Sequence, residues 1–120
     1  MVGQAVMRPL EHIDGQLAYY RAELHITDAQ QPQWNAFADA FRAAANTLRE
    51  AVTRATQGGG QTAAPDLLQR RIALLSAQLE ALRSVEAAGR PLYAALSDEQ
   101  KRAADQLMAE HFRSVQGMAP

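Results

Sequence analysis

The sequence predicts an all-α fold of four helices: a long antiparallel central hairpin, two shorter flanking helices, and a kink near Pro91. Three observations predict it. Apolar residues recur at alternating spacings of three and four almost end to end, which is the helical period rather than the strand period. No alternating run of β-branched residues interrupts them. Glycine and hydroxyl residues then punctuate the chain where helices should stop and start.

The first stripe, Leu10, Ile13, Leu17, Tyr20 and Leu24, defines the first flanking helix. The second follows Thr27 through Trp34, Phe37, Phe41, Ala45, Leu48, Val52 and Ala55, with Pro32 early enough to be tolerated. Gly58, Gly59 and Gly60 predict a flexible loop over residues 57–64, and Pro65 with Asp66 suits the start of the next helix. The third stripe is the longest: Leu68, Ile72, Leu75, Leu79, Leu82, Val85, Gly89, Leu92 and Leu96. Its heptad-like spacing also suits a coiled coil with another chain. Pro91, close to Gly89, predicts the kink, a true break into five helices being the alternative. The fourth stripe runs from Ala104 through Met108 and Phe112 to Val115. Gly3 and the segment from Gly117 to Pro120 should be frayed. One domain over 1–120 is expected, with an ordered core of about 10–113, because a chain of 120 residues builds one core and not two.

Composition excludes several functions. Basic and acidic residues number 5 and 6 in residues 1–60 and 7 and 7 in residues 61–120, so neither half is a basic arm. Nucleic-acid binding and polybasic membrane anchoring both need clustered cations, and membrane insertion needs a longer apolar run than any present. The absence of cysteine removes disulfides, thiolate metal sites and cysteine nucleophiles. The triple glycine lacks the Lys-Ser/Thr that a phosphate loop requires. No catalytic constellation and no cofactor is expected.

Two short stretches carry the main signal, Ile26-Thr27-Asp28-Ala29-Gln30 and Leu96-Ser97-Asp98-Glu99-Gln100. Each is a capping box, in which the hydroxyl accepts from the N–H three residues on and the glutamine reaches back to the cap's own N–H. Arms of nearly equal length, about 28–56 and 66–96, should bring the start of the second helix beside the end of the third. The two boxes should therefore meet at one end of the hairpin.

This doubled box in a helical chain of this length resembles the LTXXQ-motif family of Spy/CpxP-like proteins, with Ile for Leu in the first copy and Ser for Thr in the second. The stretches W-N-A-F-A-D-A-F-R at 34–42 and P-L-Y-A-A-L-S-D-E-Q-K at 91–101 are similar to its short members, and the likeness spans about 10–112. The resemblance implies a non-enzymatic periplasmic protein of envelope stress that binds unfolded or misfolded proteins without ATP, commonly as a homodimer. A periplasmic location would require an export signal removed from this chain; a native start at Met1 would make it a cytoplasmic helical interaction protein. The family's metal-responsive ZraP/CnrX-like branch supplies a third reading. Its ligand candidates are Met108 and His111, one turn apart, and His12 beside Glu11, but no HxxxH or HExxH spacing joins two imidazoles, and no metal site is expected. His25, just before a cap, is read as an ordinary surface histidine.

Candidate residues for a client or dimer surface are Tyr19, Tyr20, Trp34, Phe37, Leu67 and Leu68. Trp34, Phe37 and Phe41 lie in register with a stripe, so core is their default. Tyr19 and Leu67 fall outside a single stripe and are the better candidates for a second apolar face.

Overall fold

Thr27 and Ser97 divide the chain into two helix-turn-helix halves, and the elements follow from that division. A computed structural model describes the backbone of residues 2–57 and 63–118, and the side chains of 12–57 and 63–114. Helix α1 (Val2–Leu24) leads through a 3-10 turn (Asp28–Gln30) into α2 (Gln31–Gln57). Helix α3 (Ala64–Ala95) and α4 (Asp98–Met118) form the second half, and no strand occurs among the described residues.

Most predicted boundaries hold and a few move. Gln57 and Ala64 belong to α2 and α3, so the expected loop shrinks at both ends, and Gly58 to Gly60 lie outside the described residues. Pro65 sits in the first turn of α3, where its missing N–H costs nothing. The backbone at Gly3 and Gly117 is helical, and Ala119 and Pro120 lie outside the described residues. Helix α3 continues through Pro91 without a break, which removes the five-helix alternative. Just before the proline, a methyl group at Gly89 would stand 3.7 Å from the Phe37 ring, so the helices lie close there.

The buried core gathers at the box end of the hairpin. Leu17 and Leu24 of α1, Trp34, Phe37 and Ala38 of α2, and Leu92 and Leu96 of α3 form one cluster. Ala103, Ala104 and Leu107 close it from α4, while Ile13, Tyr20, Ile26, Phe41 and Val85 pack at its margin. Burying one such leucine is worth roughly 1.5–3 kcal/mol, so this cluster holds the four helices together. Exposed ion pairs such as Arg42–Asp14, at 2.8 Å, add little.

Away from that end the hairpin is two helices thick, and its interior is made of alanine. Ala44 of α2 and Ala81 of α3 are buried, with Leu74 and Ala77 half-buried beside them. Leu68, Ile72, Leu75, Leu79 and Leu82 point outward instead, 47 to 65 % exposed. The physical cause is periodicity. A strict heptad falls behind a straight helix by about 20° per repeat, so the line from Leu68 to Leu96 turns through about 80°. Only its last members, Leu92 and Leu96, reach the core.

Candidate functional site

At the joint between the halves, each motif glutamine does two jobs. Gln30 Oε1 accepts from the Thr27 N–H at 3.1 Å, and Gln100 Oε1 accepts from the Ser97 N–H at 2.8 Å, so each closes its own capping box. The Ser97 hydroxyl accepts from the Gln100 N–H at 3.2 Å, completing the second box. Asp28, Asp98 and Glu99 place negative charge in the first turns, where the helix dipole favours it.

The amide nitrogens reach across. Gln30 Nε2 donates to the Ala95 carbonyl at 2.9 Å, at the end of α3, and Gln100 Nε2 donates to the Leu24 and His25 carbonyls at 2.9 and 3.2 Å, at the end of α1. The two amides also bond each other in both directions at 2.9 Å, although 70 residues separate them. Each glutamine therefore starts its own helix and finishes the helix of the other half. Gln30 is 9 % exposed, yet both its N–H groups and its oxygen are satisfied. A buried amide is tolerated only on those terms.

His25 has a structural part in the same joint. Its φ of 53° is left-handed, its N–H donates to the Ala22 carbonyl at 3.2 Å, and the Ile26 N–H donates to the Arg21 carbonyl at 3.4 Å. That pair of bonds is the Schellman motif, which ends α1 and turns the chain toward Thr27.

A second link joins α1 to α4. The Tyr20 hydroxyl lies 3.3 Å from His111 Nδ1, with Gln16 Nε2 3.4 Å away, and the His111 ring meets Phe41 edge-on at 6.4 Å. Burial first, then the nearby Tyr19 and Glu110, raise the Tyr20 hydroxyl above its ordinary pKa. On the other side, the Tyr93 hydroxyl donates to Asp105 at 3.0 Å, tying α3 to α4.

The residues expected at a surface separate clearly. Tyr19, Leu67 and Leu68 are exposed, Tyr20 is half-buried against His111, and Trp34 and Phe37 are buried in the core and cannot contact a partner. Met108 and Phe112 lie exposed on α4, on either side of His111 in sequence. Among the described residues no three His, Cys, Asp or Glu side chains come together. The open hollows on the surface, about 380 and 250 Å³, run along α2 at Arg49–Gln57 and between Ile13 and Arg42. They gather no reactive set of side chains.

The sequence signature and the joint coincide in a match to LTXXQ motif family proteins over residues 12–108. The chain belongs to the LTXXQ motif family. No curated protein and no solved structure matches it. The family is one of helical, stress-related proteins associated with the periplasm. No described helix is long and apolar enough to cross a membrane.

Proposed function

We propose that this LTXXQ protein works in the periplasm as an ATP-independent chaperone, holding unfolded or misfolded polypeptides by contact with exposed apolar side chains. One observation supports the reading beyond family membership. The described residues expose eleven large hydrophobic side chains, a surplus that a helical protein without a partner would not need. Tyr19 on α1 and Met108 and Phe112 on α4 flank the Tyr20–His111 link and form an aromatic, sulfur-bearing surface able to adapt to varied clients. Such a surface binds weakly and without sequence preference, which is what a holding activity demands.

The test is suppression of aggregation. Several unrelated clients unfolded by heat or reduction should scatter less light at near-equimolar LTXXQ protein, with no effect of added ATP. Tyr19→Ser combined with Phe112→Ser should weaken the protection while leaving the helical circular dichroism intact. Unchanged aggregation of every client would overturn the proposal.

A further inference from the structure

We propose that the Met108 thioether is a modification site, where transfer of one oxygen atom from a hydroperoxide weakens the apolar surface that Met108 shares with Phe112 and Tyr19. The inference rests on the reading of those three side chains as the surface that holds clients. The chain has no cysteine, and its one tryptophan, Trp34, is buried in the core at 5 % exposure. A peroxide therefore meets sulfur only as thioether, and Met108 offers its side chain at 41 % exposure. Met1, Met7 and Met118 lie outside the described side chains.

The setting of Met108 directs the consequence to the surface rather than to the fold. Leu107 packs against the core, and Met108 follows it about 100° further around α4, exposed. Hydrogen bonds hold α4 on either side, from Tyr93 to Asp105 before it and between Tyr20 and His111 after it. Phe112, 47 % exposed, stands four residues on, so thioether and ring are neighbours on one helix face. An unoxidised thioether is apolar and flexible, which suits contact with varied clients. In the oxidation its sulfur attacks one peroxide oxygen, an S–O bond forms as the O–O bond breaks, and the proton of the transferred oxygen passes to the other, which leaves as water. The sulfur is oxidised by two electrons and the peroxide is reduced by two. The sulfoxide so formed is polar and binds water that a client must displace, and sulfoxide reductases restore the thioether.

Treatment of the full chain with hydrogen peroxide, followed by removal of the peroxide, peptide mass spectrometry and the aggregation assay, tests it. Treated wild type should carry one added oxygen on the peptide containing Met108 and keep its helical circular dichroism and melting temperature. It should need about three- to tenfold more protein to protect a client equally. Met108→Leu, an apolar side chain that takes no oxygen, should protect equally before and after treatment. Met108→Gln, polar and of similar length, should protect less well without any treatment. A wild type that protects undiminished once Met108 is oxidised would overturn the inference. So would a Met108 that stays unmodified while free methionine is oxidised, a treated Met108→Leu that loses as much protection as treated wild type, or oxidation that unfolds the chain. Untreated wild type that protects no client removes the client-holding surface and the modification's effect together, whereas protection that survives oxidation removes the second alone.

Discussion

Gln100 shows how much one side chain can hold. Its amide closes the Ser97 cap and ends α1, so Gln100→Ala removes bonds in both halves and takes from the buried Gln30 amide one acceptor for its Nε2. Buried groups that lose a partner cost about 1–3 kcal/mol each. The melting temperature should therefore fall further for Gln100→Ala than for Ser97→Ala or Thr27→Ala, whose lost cap costs roughly 0.5–2 kcal/mol. A double-mutant cycle on Gln30 and Gln100 should show coupling of about 0.5–3 kcal/mol; additive losses would mean that the amide pair contributes nothing. At His25 the left-handed backbone is a strain that glycine would not feel, so His25→Gly should raise the melting temperature by relieving about 1 kcal/mol. Tyr20 sets a dependence on pH. A hydroxyl whose folded pKa lies above 10 adds stability that is complete below that pH and lost as pH rises through the raised value. Tyr20→Phe should accordingly flatten the fall in stability above pH 10, measured by urea unfolding across the alkaline range.

Helix α3 separates two kinds of leucine that the sequence writes alike. Leu92 is buried in the cluster shared by α1, α2 and α3, and Leu79 faces away from its own chain. Leu92→Ala should cost about 2–5 kcal/mol in urea unfolding. Leu79→Ala should cost far less, because its side chain is exposed. Equal losses would mean that the stripe faces the core after all. The signal that could have found this division was present in the sequence. Ala77 and Ala81 form a second, smaller-residue line on α3, and only one of the two lines can face α2.

Over the whole molecule, stability should be graded along the hairpin. The buried cluster and the amide joint lie at the box end, whereas the far end has an alanine interior and two layers at most. Amide hydrogen exchange should be slowest at residues 31–42 and 88–96 and fastest at 50–57 and 64–74. Uniform protection would contradict the gradient. A hairpin built this way keeps one rigid end and one adaptable end.

The sequence alone determined the helical class, the four elements and the meeting of the two boxes, because period, capping chemistry and arm length are local quantities that add along the chain. It also carried the family through the paired I-T-D-A-Q and L-S-D-E-Q. The tertiary structure decided what those stretches touch. Each glutamine completes the other half's helix and bonds the other glutamine, 70 residues away, contacts that no local rule contains. It decided, too, that Trp34 and Phe37 are core while Leu75 and Leu79 are surface. A helical stripe fixes a direction around its own axis, and only the neighbouring helices settle which direction is inside.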